Sequence, residues 1–327
     1  MRVPRIKVSP LESAALYHCI SRTVNGERLF VDADREMFRR MMWQVAEFCG
    51  VEVVTYAILS NHFHILVRVP EVAAVSDAEL LRRYRVLHPQ PTKYQTVRLA
   101  VLASKLAVAA DTDGQLWRQR QLALMGDVSQ FMKLLKQRFS IWFNRAHQRF
   151  GTLWSERFKS VLVEHGAALR VMAAYIDLNP IRAGLATDPK DYRFCGYAEA
   201  VAGNQRLRRA LTAAFEQTDW NIAHNYYRQL LFGSGGKKQR HAASLSAAQA
   251  EEVVAEQGAL SVAELLRCRA KYFTDGAVLG GKVFVSKYLR RYRQFIGSGK
   301  QSPPRSLPTV SGGDELAVLR GGRMAAG

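Results

Sequence analysis

The chain has 327 residues, 48% of them hydrophobic and 23% charged, a balance that supports a packed core and excludes global disorder. Its formal net charge is +19, from 47 Lys and Arg against 28 Asp and Glu, which points to a polyanionic partner, nucleic acid first. No apolar run reaches spanning length and no signal-peptide pattern is present, so a soluble, cytoplasmic protein without a membrane role is expected.

Residues 1–12 read as a short basic arm. Leu16 to Arg22 alternates like a strand, and Asn25-Gly26 closes it with a turn signal. Asp32 is the expected N-cap of a helix running to about Cys49, with the stripe Met37, Phe38, Met41, Met42, Val45 and Phe48, and Gly50 stops it. A β-branched run, Val51 to Leu59, then reverses at Ser60-Asn61 into a second strand that ends at Val69. Within that strand Phe63, Ile65, Val67 and Val69 form the face expected to pack on a core. His62 and His64 stand side by side on the opposite face, with Arg68 further along. Two imidazoles at i and i+2 make half of a site for a divalent cation, although a lone His-x-His is more often just polar residues on a wet strand face.

Residues 71 to 126 interrupt this order with a basic stretch, expected as one or two loosely packed helices inserted at one edge of the domain. Regularity returns at Ser129, the expected N-cap of a helix to about Arg149 with the stripe Phe131, Leu134, Leu135, Phe139, Trp142 and Phe143. Lys133, Lys136, Arg138, Arg145 and Arg149 decorate the rest of it, and no acidic residue falls between Asp127 and Glu156. Such a one-signed face suggests a track for phosphates. Leu153 to Glu164 reads as a strand carrying Arg157 and Lys159. The order strand, helix, strand, strand, helix, strand defines an α+β class: a ferredoxin-like antiparallel sheet with helices on one face.

Ala167 to Asn179 is a further helix, with Leu169, Met172, Ala173 and Ile176 as its apolar stripe. Tyr175 and Asn179, at i and i+4, lie one turn apart on its flank. A tyrosine in that position is more often a packed aromatic than a nucleophile. Pro180 ends the helix, and Ile181-Arg182-Ala183-Gly184-Leu185 follows as a compact turn. Residues 201–236 are expected as a helical extension with an aromatic cluster, Trp220, Tyr226 and Tyr227, that packs or dimerises, followed by a basic Gly-rich linker from Gly233 to Arg240. Residues 237–296 suggest three short helices, Ala247 to Glu256, Val262 to Arg269 and Lys282 to Gln294, as a small helical module for DNA or a plain extension. Residues 297–327, rich in Gly, Ser and Pro, are expected to be disordered. The four cysteines, Cys19, Cys49, Cys195 and Cys268, form no CxxC pair and are expected as reduced thiols.

Taken together, Tyr17-His18, Asn61-His-Phe-His64, Arg157-Phe-Lys159 and Tyr175-Ile-Asp-Leu-Asn-Pro-Ile-Arg-Ala-Gly184 occur in the order of the REP-associated tyrosine transposases. Over about residues 10–200 the chain resembles these single-tyrosine HUH enzymes, in which U is an apolar residue, here Phe63. The resemblance implies a catalytic domain over residues 1–200, with 71–126 as an insertion. It implies metal binding by His62 and His64, a nucleophilic Tyr175, and a polar third ligand at Asn179. Mg²⁺ or Mn²⁺ is the implied cofactor. The implied substrate is single-stranded DNA beside hairpins of repetitive extragenic palindromes, cut through a 5′-phosphotyrosine in a cytoplasmic, nucleoid-associated setting. Lys133, Lys136, Arg138, Arg145, Arg157, Lys159 and Arg182 are the expected DNA contacts, and a homodimer is an open expectation. Two alternatives stand beside this. One is a related replication initiator or relaxase, for which a second tyrosine or third histidine is expected and neither is seen. The other is a DNA-binding regulator that keeps the fold without transposition.

Overall fold

Three strands rich in β-branched and aromatic residues form the centre of the sheet: β1 (Ala15–Arg22), β2 (Glu52–Ile58) and β3 (His62–Val69). β3 lies between the other two and is antiparallel to both, with Cys19 opposite Ile65 on one side and Tyr56 opposite it on the other. β4 (Lys159–Val163) pairs antiparallel with the free edge of β1, Ile20 facing Lys159. The order β2-β3-β1-β4 is the expected ferredoxin-like arrangement. This computed structural model describes residues 5–89, 93–108, 110–232, 273–274, 276–292, 305–306 and 316–320.

Helix α1 (Asp32–Cys49) crosses from β1 to β2 and sets the Phe38 ring 4.5 Å from that of Phe63. Its cap differs from expectation. Val31 is the N-cap, and Asp34 accepts from the Val31 N–H at 3.0 Å. Gly50 closes the helix at φ 65°, a left-handed conformation that costs glycine nothing. The inserted stretch forms three helices, α2 (Asp77–Leu87), α3 (Lys93–Leu106) and α4 (Thr112–Leu122). They are better packed than expected, because Leu80, Leu81, Leu99, Leu102, Leu106 and Trp117 bury a separate apolar cluster. Helix α5 (Val128–Ala146) lies beside α1. Asp127, not Ser129, caps it, its carboxylate accepting from the N–H groups of Ser129 at 2.7 Å and Gln130 at 2.9 Å.

α1 and α5 cover the Phe63 face through a cluster in which Phe38, Phe139 and Trp154 meet. The two helices of the ferredoxin-like unit thus share one face of the sheet, as expected, and the chain that follows covers the other. Helix α6 (Ala167–Asp177) packs on the other face, against β2 and β3. The physical reason lies in β1, whose residues are all buried except Arg22, so neither face of it can stay in water. Asp177 ties this layer together: its buried carboxylate accepts from Thr55 of β2 at 2.7 Å and from Cys195 at 3.1 Å. Burial raises its pKa to about 6.

The chain continues through α7 (Asn179–Arg182), α8 (Gly196–Val201), α9 (Gln205–Ala214) and α10 (Trp220–Phe232). The aromatic cluster of α10 divides between interior and surface. Tyr227 is buried and donates to Asp177, Trp220 stacks on His224 with centroids 5.2 Å apart, and Tyr226 is exposed.

The C-terminal region enlarges the sheet. β5 (Gly276–Gly281) joins β4 in parallel, pairing Val278 with Leu162 and Leu279 with Val163. Helix α11 (Lys282–Tyr292) follows, close to the third helix expected there. Then β6 (Arg305–Ser306) and β7 (Leu316–Arg320) complete a seven-stranded sheet in the order β2-β3-β1-β4-β5-β7-β6. The tail expected to be disordered therefore contributes two strands, and part of the expected separate module belongs to the same sheet as β1–β4. Val278, Leu279, Ala317 and Val318 gain burial by this pairing. The linker from Gly233 to Arg240 and the two helices expected at Ala247–Glu256 and Val262–Arg269 lie outside the described residues. Cys19, Cys49 and Cys195 are buried free thiols. Among the described residues no helix is long and apolar enough to cross a membrane.

Candidate active site

The reversal at Ser60-Asn61 starts β3 at its rim, with His62 half-buried there and His64 beneath α6. Their rings lie 5.1 Å apart and nearly perpendicular, at 79°. The histidine face is thus not a wet strand face, since His64 is 3% exposed. Asn61 orients the outer ring. Its Nδ2 donates to the Gly26 carbonyl at 2.9 Å, which fixes the amide, and its Oδ1 lies 2.6 Å from Nδ1 of His62. An amide oxygen only accepts, so Nδ1 of His62 carries the hydrogen. In the neutral ring the lone pair then sits on Nε2.

A third histidine completes the row, and it is the one that sequence reasoning left out of the site. His18 of β1 is wholly buried, at 0% exposure, and its Nε2 is 2.9 Å from Nδ1 of His64. Its Nδ1 is 3.1 Å from the carbonyl oxygen of Phe273. Burial pushes the His18 pKa down to about 3. Burial also holds His64 well below the ordinary imidazole value, helped by His18, His62, Arg182 and Arg22 around it. Both rings are neutral, so the protons can be assigned. The Phe273 carbonyl only accepts, so His18 carries its hydrogen on Nδ1 and accepts at Nε2. His64 must donate from Nδ1, and its lone pair sits on Nε2. The available signal was the register: Ile20 faces His64, which makes His18 a diagonal neighbour on the same sheet face.

Tyr175 lies near the C-terminal end of α6, 5% exposed, with its ring edge-on to His18 at 6.1 Å and to His64 at 6.0 Å. Phe273 stacks on it at 4.5 Å and 29°. The Arg182 guanidinium sits 4.3 Å from the Tyr175 ring centroid, and the same side chain donates to the Tyr175 carbonyl. Asn179 is buried, its Nδ2 donating to the carbonyls of Tyr175 at 3.0 Å and Ile176 at 3.1 Å. That amide nitrogen serves the end of the helix, which leaves the oxygen as the Asn179 atom with ligand chemistry. Among the described residues no group of three or more His, Cys, Asp or Glu is placed to hold a metal ion. The atoms with ligand chemistry on the expected residues are the imidazole nitrogens of His62 and His64 and the amide oxygen of Asn179.

The fold separates the expected basic residues into two groups. Arg182 belongs to the site, while Arg157 is exposed just before β4 and Lys159 opens that strand opposite Ile20. Lys133, Lys136, Arg138 and Arg145 ride on α5, in the layer across the sheet from the histidines. Two of them have structural duties. Lys136 donates to the Glu156 carbonyl at 2.9 Å over the Trp154 ring, and burial lowers its pKa to about 8. Arg138 donates to the Leu87 carbonyl at 2.7 Å and so braces the end of α2. Lys133 and Arg145 are exposed. Tyr17 is buried on the Phe63 side, where its hydroxyl accepts from the Val8 N–H at 2.8 Å.

Residues 12–79, which carry β1, α1, β2 and β3, match a family model described as transposase IS200 like. Among solved structures the chain is similar to one described as a REP-associated tyrosine transposase bound to a REP hairpin. That likeness covers 62% of this chain and 86% of the other, at 15% identity and a TM-score of 0.39. No curated protein matches the sequence.

Proposed function

We propose that this protein is a transposase-type endonuclease and strand transferase that cuts and rejoins single-stranded DNA, with Tyr175 as the nucleophile. The observation that carries the reading is the approach of the Tyr175 ring to within 6.0 Å of His64, across a face that a purely structural helix would fill with aliphatic side chains. The match of residues 12–79 to the IS200-like model supports it independently.

The donor set fits a hard or borderline divalent cation: the Nε2 lone pairs of His62 and His64, with the amide oxygen of Asn179. Mg²⁺ or Mn²⁺ bound there would neutralise charge growing on the phosphoryl oxygens. The Tyr175 oxygen attacks phosphorus, the bond from phosphorus to the 3′ oxygen breaks, and a phosphotyrosine forms on the 5′ end of the cut strand. The phenolic proton leaves to solvent and the departing 3′ oxygen takes one up, so atoms and charge balance. Attack by that 3′ hydroxyl, or another, reverses the sequence and frees Tyr175. A phenol of pKa about 10 suits this reversibility, because it leaves readily from a phosphoester. The bond energy is conserved and no nucleotide cofactor is needed. Arg182, beside the ring, stabilises the negative oxygen before attack and the phosphate after it. In this reading Arg157 and Lys159, just before and at the start of β4, help to hold the DNA strand.

The related reading as a relaxase with three histidine ligands is less well supported. Both ring nitrogens of His18 are engaged, one by Phe273 and one by His64. The test is incubation with end-labelled single-stranded oligonucleotides that carry a hairpin, with Mn²⁺ or Mg²⁺. A labelled species that migrates with the protein under denaturing conditions, and is lost with chelator, is expected. Its absence across a library of hairpin flanks would overturn the proposal.

A further inference from the structure

We propose that His18, oriented by the backbone carbonyl of Phe273, is a positioning residue that holds His64 in the tautomer whose Nε2 lone pair can serve a divalent cation. The inference rests on the metal-dependent reading above and adds a residue and a segment to it.

Three observations converge. The two hydrogen bonds run in series, from Nδ1 of His64 to Nε2 of His18 at 2.9 Å, and from Nδ1 of His18 to the Phe273 oxygen at 3.1 Å. The series ends on an atom that can only accept, so every proton in it has one permitted position. The His18 and His64 rings are stacked at 18° with centroids 5.1 Å apart, and both are buried, so water cannot substitute for either partner. Without an acceptor at Nδ1, His64 could place its hydrogen on Nε2 and close that nitrogen to a cation. A hydrogen-bonded partner on the second ring nitrogen is how proteins commonly fix a metal-binding imidazole.

The carbonyl that terminates the series belongs to a segment far away in sequence. Phe273 precedes β5, and β5 is held by its parallel pairing with β4 and by the Glu164 N–H donating to the Leu279 carbonyl at 2.9 Å. The same residue places its ring on Tyr175. The stretch around Phe273 thus completes the site from two directions, through its carbonyl to the histidines and through its ring to the tyrosine.

Two measurements on DNA-free, full-length protein test the assignment. Nitrogen-15 NMR of the imidazoles reports the tautomer, and His64 is expected with its hydrogen on Nδ1. Titration with Mn²⁺ followed by electron paramagnetic resonance reports affinity. His18→Leu should weaken Mn²⁺ binding roughly 10–100-fold, the range for loss of an outer-shell partner. His18→Gln, whose amide oxygen can accept from His64, should recover most of that loss, which a purely structural role would not give. A hydrogen on Nε2 of His64 in the wild-type protein would overturn the proposal. So would wild-type affinity in His18→Leu, and should that variant fail to fold, the wild-type tautomer alone decides. His62→Ala separates the two levels. If it leaves Mn²⁺ binding untouched, the metal reading itself falls; if it abolishes binding while His18→Leu does not weaken it, only the role of His18 falls.

Discussion

Phe273 and Tyr175 stack with ring centroids 4.5 Å apart and planes within 29°, although one precedes the strand β5 and the other lies in the last turn of α6. The contact leaves Tyr175 5% exposed and makes the C-terminal segment a wall of the site.

Removing the wall should be costly. Phe273 is fully buried, so Phe273→Ala is expected to lower stability by about 3–5 kcal/mol, as large-to-small core substitutions of aromatic residues do. Urea unfolding measures this. A loss under about 1 kcal/mol would mean that the segment is only loosely applied to the sheet.

The two histidines of the strand should respond differently to substitution. His62 sits half-buried at the rim, so His62→Ala should remove metal-dependent cleavage with little loss of stability. His64→Ala should remove cleavage too, and should also cost about 1–3 kcal/mol, because it strands the buried Nε2 of His18 without a donor. Equal thermal midpoints for the two variants would contradict the buried row.

Stability should fall on mild acidification. His18 and His64 have folded pKa values depressed below their unfolded value of about 6.5, so the unfolded state binds more protons below that pH and stability is lost as pH falls, down to about 3 for His18. Asp177 acts in the opposite sense. Burial raises its folded pKa to about 6, so it takes up a proton in the folded state first and offsets part of the loss between pH 6 and its unfolded value. Two histidines against one carboxyl leave a net loss of about 2–3 kcal/mol between pH 7 and pH 5 from these three groups. Unfolding midpoints at the two pH values check the sign, and a higher midpoint at pH 5 would contradict it.

The charges should divide by position. Arg182→Ala is expected to slow adduct formation about 100-fold, in the range for loss of one group aimed at developing charge. Lys133→Ala with Arg145→Ala removes two exposed charges in the layer across the sheet, and should flatten the dependence of log affinity on log salt by about 0.7 for each lost phosphate contact. A double variant with unchanged slope would remove α5 from the DNA path.

Much of this was legible in the chain itself, and the boundary has physical causes. The strands and helices of the ferredoxin-like unit follow from local periodicity, and so does the shared face of His62 and His64. His18 is different, because its neighbour is set by the register of β1 against β3, which no single segment encodes. Ser129 looked like a cap by residue type, yet Asp127 lies two residues nearer the turn and reaches two N–H groups at once. Val278 and Leu279 lie between glycines, and it is β4 that supplies the partner that makes them a strand. Arg138 read as a DNA contact because a sequence cannot show that the Leu87 carbonyl stands within its reach.

In the proposed reaction Tyr175 becomes covalently joined to the 5′ end of a cut strand. Protease digestion of the adduct, followed by mass spectrometry of the nucleotide-bearing peptide, tests it most directly. A phosphotyrosine on Tyr175 is expected, and no adduct from Tyr175→Phe, which removes one oxygen and should still bind DNA. A phosphotyrosine on Tyr17, Tyr226, Tyr227 or any other tyrosine would contradict it.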